Sequence, residues 1–257
     1  MSFWEKIDQL LAEYRSLNIE DSYNHDFFNR ITLTFHSTSI EGATLTQVET
    51  EVLIESGLPA KGKPLEHNNM VKDHYDALVF ACNEARKKRP ITTQFIQEIG
   101  ALVMKSTGGT INQIGGSYDS SRGELRKGSV TAGSTIFPDF RKVPGLLTDF
   151  CQKVADLDKK AKTNKEVLTL SFEAHYDLVS IHPFADGNGR TSRILMNYLQ
   201  TLHKLPMGLV HRDEKASYIG ALNESRKTES TNPILNFMAQ EYVRYLEEQI
   251  NQVKNNS

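Results

Sequence analysis

The stretch His182-Pro-Phe-Ala-Asp-Gly-Asn-Gly-Arg-Thr-Ser-Arg193 decides how this chain is interpreted. It follows an apolar helical pattern that ends near Ile181, and another helical pattern begins after Arg190, so it forms a turn between two predicted helices. Within it, Gly187-Asn188-Gly189 places exposed backbone N–H groups at the positive end of the second helix. We therefore expect an anion the size of a phosphate group to bind at this turn.

Charged and titratable side chains surround the same turn. Arg190 and Arg193 can each donate two hydrogen bonds to phosphate oxygens, and Asp186 can hold a Mg²⁺ ion that bridges phosphates. His182 carries an imidazole whose ordinary pKa of about 6.5 lets it take a proton from an attacking hydroxyl at neutral pH. The turn is predicted to combine a base, a metal ligand and an anion site.

Helices are predicted for most of the remaining chain. Apolar residues recur at helical spacing before and after the turn, and Thr46 with Glu49 forms a capping-box pattern at one helix start. The glycine-rich stretch 107–138 interrupts this pattern, and Ser-Val-Thr-Ala-Gly-Ser-Thr-Ile-Phe over 129–137 predicts one β-hairpin that turns at Ala132-Gly133. A flexible linker is the alternative for this stretch.

Composition narrows the class of protein. The 257 residues are 39% hydrophobic and 24% charged with a net charge of -2, which is typical of a globular domain and unlike a dedicated nucleic-acid binder. The amphipathic, partly acidic N-terminus predicts neither a membrane span nor a secretory signal. We therefore expect a cytoplasmic protein without nucleic-acid or membrane partners, in which Cys82 and Cys151 are buried thiols.

The turn resembles the signature of the Fic family, His-x-Phe-x-Asp/Glu-Gly-Asn-Gly-Arg-x-x-Arg, and every fixed position is occupied without gaps. The preceding helix, the glycine-rich stretch and the segment from Tyr218 to Asn223 also resemble the family. The resemblance implies an all-α, Fic-type helical bundle with a small β-hairpin flap. It further implies an N-terminal helical region over 1–90 and a Fic core over 91–257, packed as one globular unit.

The resemblance also implies an activity. Most Fic proteins transfer AMP from ATP to a Ser, Thr or Tyr hydroxyl of a target protein and release pyrophosphate. His182 would then be the base and Asp186 the Mg²⁺ ligand. The anion hole would consist of Gly187, Asn188 and Gly189, and the ligands of the outer phosphates would be Arg190 and Arg193. Gly189 favours AMP transfer, because members that transfer phosphate have Lys at this position. The implied partners are ATP and a target protein, and a homo-oligomer stays open.

A second motif lies far from the turn in sequence. Ser37 and Glu41 are four residues apart on one predicted helical face, and Gly42 can end that helix in a left-handed conformation. The motif resembles the inhibitory Ser/Thr-x-x-x-Glu-Gly/Asn of Fic proteins in the class with an N-terminal inhibitory helix. In that class the Glu pairs with the second signature Arg, here Arg193, and obstructs placement of the γ-phosphate. The alternative is a solvated Glu at an ordinary helix end.

Other roles rest on the resemblance alone. The flap would dock an extended segment of the target through its exposed strand edge, and it comprises Val130, Thr131, Ala132, Gly133, Ser134, Thr135 and Ile136. Tyr218 and Asn223 would line the adenine pocket, with a helix-packing Tyr and a capping Asn as alternatives. Two alternative functions stay open: removal of AMP from a modified protein at the same site, and nucleotide binding by a helical interaction module without turnover.

Overall fold

The computed structural model describes residues 3–22, 24–133 and 135–256. Over these residues the chain forms ten α-helices and two small antiparallel hairpins, which confirms the predicted all-α bundle with a β flap. The helices are α1 (Phe3–Ser16), α2 (His25–Ile40), α3 (Gln47–Ser56), α4 (Leu65–Arg86), α5 (Thr93–Val103), α6 (Val143–Lys160), α7 (Asn164–Ile181), α8 (Asn188–Leu202), α9 (Lys215–Thr228) and α10 (Asn232–Asn256).

Helix α8 lies at the centre of the bundle. Every residue from Thr191 to Gln200 is buried, so the helix that follows the signature turn is enclosed on all sides. One face packs on α4, where small residues such as Ala77 and Ala81 allow a close approach, and another face packs on α7. The turn at the start of α8 is therefore held by the most buried part of the molecule.

The N-terminal helices complete the bundle. Apolar residues of α1 pack against the last helix, α10, and Ile40 at the end of α2 belongs to the same buried cluster as Met196 of α8. Leu33 of α2 joins the other main cluster, which contains residues of α4, α5 and α8. Helix α2 is thus fixed to the core along its length.

Local signals in the sequence account for several helix boundaries. The capping box predicted at Thr46 forms, because its hydroxyl accepts from the Glu49 N–H while the Glu49 carboxylate accepts from the Thr46 N–H. Thr163 and Glu166 make the same pair at the start of α7. Cys82 and Cys151 are buried free thiols, as predicted.

The glycine-rich stretch contains two hairpins, so the prediction of a single one is incomplete. The first pairs β1 (Thr110–Gln113) with β2 (Gly116–Asp119), and the second pairs β3 (Thr131–Ala132) with β4 (Thr135–Ile136). Gly115 lies in the first turn, where a side chain would collide with the Lys127 carbonyl and the Phe140 ring. The sequence does not reveal this close approach between segments.

None of the helices within the described ranges is both long and apolar enough to cross a membrane.

Candidate active site

His182 ends α7 and begins the signature turn. Its backbone is left-handed, with φ of 53°, and its N–H donates to the Leu178 carbonyl at 3.0 Å. The ring Nδ1 lies 3.2 Å from the Val179 carbonyl oxygen. Because that oxygen can only accept, the hydrogen bond requires the proton on Nδ1, and this leaves Nε2 as the acceptor. The ring is therefore set up to take a proton at Nε2.

The surroundings of His182 favour its neutral form. The Phe137 ring stacks on the imidazole, with 3.7 Å between the ring centroids and 17° between the planes. Burial lowers the pKa of His182 to about 4, and the positive charges of Arg126 and Arg226 act in the same direction. The imidazole is thus uncharged at neutral pH, as a base must be.

The turn is braced from within by Asn188. Its side-chain oxygen accepts from the Phe184 N–H at 2.9 Å, and its amide donates to the Phe184 carbonyl at 3.0 Å. The Phe184 ring fills the space above Gly100, where a Cβ would lie 2.6 Å from the ring. The Asn188 side chain is therefore engaged within the turn, and only its backbone is left to face a ligand.

The N-terminus of α8 follows directly. Gly187 is its N-cap with φ of 79°, a conformation that favours glycine, and a Cβ at this position would lie 3.0 Å from the side chains of Val103 and Met104. The first N–H groups of a helix have no partner within the helix. The turn therefore presents N–H donors and a positive dipole end, the two features from which an anion site is predicted here.

Asp186 is the acidic residue directly before the N-cap of this helix. Its Oδ1 accepts from the Gly187 N–H at 2.6 Å, its Oδ2 accepts from Arg190 at 3.1 Å, and the side chain is 69% exposed. Within the described ranges, no group of three or more His, Cys, Asp or Glu side chains forms a metal cage. A single exposed carboxylate suits Mg²⁺, which takes one or two carboxylates together with substrate phosphates.

The side chains of Arg190 and Arg193, both on α8, are buried. Arg190 is 1% exposed and lies beside the Val103 carbonyl, the Met104 sulfur and the Asp186 carboxylate. Arg193 is 4% exposed and lies on the side of α2. The two guanidiniums thus lie near the anion site, and both already have protein partners.

Arg193 is held by the end of α2. It donates from Nη2 to Glu41 Oε1 at 2.6 Å, from Nε to the Ser37 hydroxyl at 2.9 Å, and from Nη2 to the Ser37 carbonyl at 3.0 Å. Burial opposes ionisation of Glu41, but the charge and hydrogen bond of Arg193 outweigh it and keep the Glu41 pKa below its usual range. Gly42 has the expected positive φ, 102°. The contacts join the two sequence motifs in one ion pair.

Tyr218 and Asn223 lie on α9 in different surroundings. Tyr218 is 2% exposed, and its hydroxyl is 2.7 Å from His175 Nε2 and interacts with Arg193. Asn223 is exposed in the interior of the helix, and its side-chain oxygen accepts from Thr135 and from Arg226. Tyr218 thus forms a hydrogen bond with Arg193, whereas Asn223 connects α9 to the flap through its hydrogen bond with Thr135.

The flap lies over His182. Thr131 pairs with Ile136 and Ala132 with Thr135, and Ile136 is 82% exposed. Its turn contains Gly133, with φ of 58°, and Ser134, which lies outside the described residues. Phe137, directly after the hairpin, is the residue that stacks on the imidazole.

Sequence reasoning did not identify Arg126, Phe137 or His175 as site residues. Arg126 lies in the glycine-rich stretch and looks like an ordinary surface Arg, yet it is 2% exposed. Phe137 ends the predicted hairpin, and His175 lies in the apolar pattern of α7.

The sequence and the fold of this chain are similar to those of known proteins. Residues 90–200 match the Fic/DOC family. A relative called protein adenylyltransferase Fic from Drosophila willistoni is 30% identical over 206 residues, which cover 80% of this chain and 38% of the relative. The same protein from Drosophila mojavensis is 30% identical over 237 residues, or 91% of this chain and 44% of the relative. The chain spans less than half the length of these relatives.

A solved structure resembles nearly the whole chain. The crystal structure of a Fic domain containing signaling protein from Bacteroides thetaiotaomicron is 25% identical, with a TM-score of 0.80 over 98% of this chain and 99% of that one. The family match, the two relatives and this shared fold agree with the signature at His182 to Arg193. The chain belongs to the Fic/DOC family.

Proposed function

We propose that this chain is a protein AMP transferase, and one observation carries the proposal. His182 donates from Nδ1 to the Val179 carbonyl, so its free Nε2 can accept a proton next to the anion site at the start of α8. A protein that only binds nucleotide has no use for a neutral base beside an exposed carboxylate. The names of the two fly relatives support the same activity.

The reaction follows from this placement. A Ser, Thr or Tyr hydroxyl of the target attacks the α-phosphorus of ATP, and its proton passes to Nε2 of His182. The bond from the α-phosphorus to the bridging oxygen breaks, and pyrophosphate leaves. The α8 N–H groups stabilise the charge that develops on the phosphoryl oxygens. Asp186 is placed to hold Mg²⁺, which would neutralise the α- and β-phosphates when bound.

We propose that Glu41 inhibits this reaction. Its carboxylate is the ion-pair partner of Arg193, and Oε1 lies 2.4 Å from where a Cβ of Gly189 would be. Glu41 thus lies over the anion site and satisfies the guanidinium that would bind the outer phosphates. A bound ATP would have its γ-phosphate misplaced by a group of like charge.

The proposal includes a division of the chain. Residues 1–90 would form a regulatory helical region and residues 91–257 the Fic core. The cluster shared by Leu33 of α2 with α4, α5 and α8 supports a regulatory region that is packed on the core.

The test is incorporation of labelled AMP from α-labelled ATP. We expect slow self-labelling by the wild type, faster self-labelling by Glu41→Gly, and none by Glu41→Gly combined with His182→Ala. No incorporation by a folded Glu41→Gly variant, into itself or into proteins of a cell extract, would contradict AMP transfer.

Removal of AMP from a modified protein is the second candidate activity for the same residues. The Glu41 carboxylate faces the anion site, where it could orient a water molecule for removal of AMP from a modified protein. Mass spectrometry of an AMP-modified protein separates the two activities, because removal requires Glu41 and transfer is inhibited by it. Nucleotide binding without turnover would give neither product.

A further inference from the structure

A buried arginine outside the signature connects the turn to the flap. Arg126 is 2% exposed and lies between the two hairpins in sequence. Its three side-chain nitrogens each donate to a backbone carbonyl: Nε to His182 at 2.7 Å, Nη1 to Gly128 at 2.8 Å and Nη2 to Pro138 at 2.6 Å. Its own N–H donates to the Pro183 carbonyl at 3.0 Å.

The acceptors define what this side chain holds. The His182 and Pro183 carbonyls belong to the start of the signature turn. The Gly128 and Pro138 carbonyls lie on either side of the flap, which spans 130–136. One guanidinium thus joins both ends of the flap to the backbone of the proposed base.

The choice of residue type follows from the geometry. Three carbonyls that accept from one side chain require a donor with several N–H groups in a fixed arrangement, which the planar guanidinium of Arg supplies. A buried cation is unfavourable without partners, so its hydrogen bonds to carbonyls matter more than those of a neutral side chain. Its hydrogen bonds within the described ranges all go to carbonyls, and none goes to a carboxylate.

The conformation of His182 depends on such support. A left-handed backbone is unfavourable for a residue with a Cβ, yet His182 has φ of 53°. That backbone sets the direction of the Cα–Cβ bond and therefore places Nδ1 near the Val179 carbonyl. On the other side of the ring, Phe137 is directly bonded in sequence to Pro138, whose carbonyl accepts from Arg126.

We propose that Arg126 is a positioning residue that holds the His182 ring in its Nδ1–H tautomer and couples the ring to the position of the flap. The role in catalysis rests on the proposed function, in which His182 is the base. The structural role does not rest on it. A target docked on the flap would thereby act on the geometry of the base through one side chain.

The first test is independent of catalysis. Ring ¹H–¹⁵N correlation spectra of histidine-labelled protein report the tautomer, and His182→Ala assigns the signal. In Arg126→Met we expect a mixture of the two neutral tautomers at His182. We also expect amide exchange in residues 130–137 to be faster by roughly tenfold, which is the factor that corresponds to the loss of one of the hydrogen bonds of the charged guanidinium. Arg126→Lys, which keeps the cation but not the planar donor, should resemble Arg126→Met.

Arg141→Met is the matched control. Arg141 also lies beside the flap, but it is 76% exposed and pairs with Asp139. The Arg141→Met variant should leave both the His182 tautomer and the amide exchange of residues 130–137 unchanged. Wild-type tautomer and exchange in both Arg126 variants would overturn the proposal. Faster amide exchange that extends equally through α4, α5 and α8 would also overturn the proposal, because it would mean that Arg126 stabilises the whole fold.

The second test concerns catalysis. In a Glu41→Gly background, Arg126→Lys should lower kcat by roughly tenfold or more and leave the KM for ATP within about twofold, because the phosphate ligands do not contact Arg126. A rise in KM at constant kcat would overturn the catalytic part. If Glu41→Gly alone shows no transfer, the proposed function fails, and the tautomer and exchange still decide the role of Arg126.

Discussion

The carboxylate of Glu41 lies against the backbone of Gly189, so closely that a Cβ at position 189 would be 2.4 Å from Oε1. Glycine at this position therefore does two things. It leaves the anion site open to a phosphate group, and it leaves room for the side chain that we propose blocks the same space. The two roles make separate predictions.

A methyl group at position 189 should oppose Glu41 directly. We expect Gly189→Ala to lower the free energy of unfolding by about 1–3 kcal/mol more in the wild type than in Glu41→Gly, because the methyl group would push the Glu41 carboxylate out of its charged hydrogen bond with Arg193, which only the wild type can lose. Urea denaturation of the four proteins in a double-mutant cycle measures this difference. An equal change in both backgrounds would exclude the contact.

Removal of Glu41 should activate transfer. Coupling free energies of switches are typically about 1–3 kcal/mol, so we expect roughly 5–150-fold more AMP incorporation by Glu41→Gly at fixed Mg-ATP. Ser37→Ala should activate less, because the Ser37 carbonyl and Glu41 still hold Arg193. Arg193→Ala should not imitate activation, since it also removes a phosphate ligand. Equal incorporation by the wild type and Glu41→Gly would remove Glu41 from the inhibitory role.

The pH dependence of transfer should reflect the low pKa of His182. The neutral imidazole is the active form, so activity is lost as pH falls through the pKa, which burial lowers to about 4. We expect kcat/KM of Glu41→Gly to be level from about pH 6 to 8, without a fall near the ordinary histidine pKa of about 6.5. Phe137→Ala opens the ring to water and should move the acidic limb upward, whereas Phe137→Leu should move it less. An acidic limb that stays in place in Phe137→Ala would contradict this account.

Asp186→Ala should weaken both metal use and turnover. A metal ion contributes several kcal/mol of charge stabilisation in phosphoryl-type transfer, so we expect at least roughly a hundredfold loss of kcat and a higher Mg²⁺ requirement. Titration with Mg²⁺ in the Glu41→Gly background checks both effects. Undiminished turnover in excess EDTA would exclude the metal role.

The Asn188 side chain, which braces the turn, should contribute to the stability of the fold. Asn188→Ala leaves the Phe184 N–H and carbonyl without their partner in a buried site, which we expect to cost about 1–3 kcal/mol for each group. Asn223→Ala, at an exposed position, is the control and should change stability by less than about 0.5 kcal/mol. Urea denaturation compares them, and equal losses would contradict the bracing role.

A tight glycine-containing turn between two helices could be predicted from the sequence, because the residues that form it are close in the chain. The left-handed Gly187, the start of α8 and the position of Asp186 are all set within a few residues. The capping boxes at Thr46 and Thr163 are local in the same way. The pairing of Glu41 with Arg193 spans most of the chain, and it was expected only because two motifs resembled those of one family.

Contacts between distant segments could not be predicted in this way. Arg126 has no neighbour in sequence that shows its burial, and its distant acceptors are brought to it only when the flap folds over the turn. Tyr218 has the helical spacing of a packing residue, and its link to His175 requires α7 and α9 to be adjacent. The first hairpin, at 110–119, could not be predicted in this way because its strands are mostly polar.

The attachment of α2 to the core has a consequence for how the inhibition that we propose for Glu41 would be relieved. Ile40 is 3% exposed in the core, whereas the Glu41 side chain beside it is 32% exposed. The backbone of the helix end is therefore fixed, while the carboxylate can leave Arg193 by rotation about its own side-chain bonds. Rotamer changes of exposed side chains take picoseconds to nanoseconds, and undocking of a buried helix is slower by many orders of magnitude. If Glu41 inhibits as proposed, relief of inhibition requires its ion pair with Arg193 to break and one side chain to change rotamer, while α2 stays docked on the core.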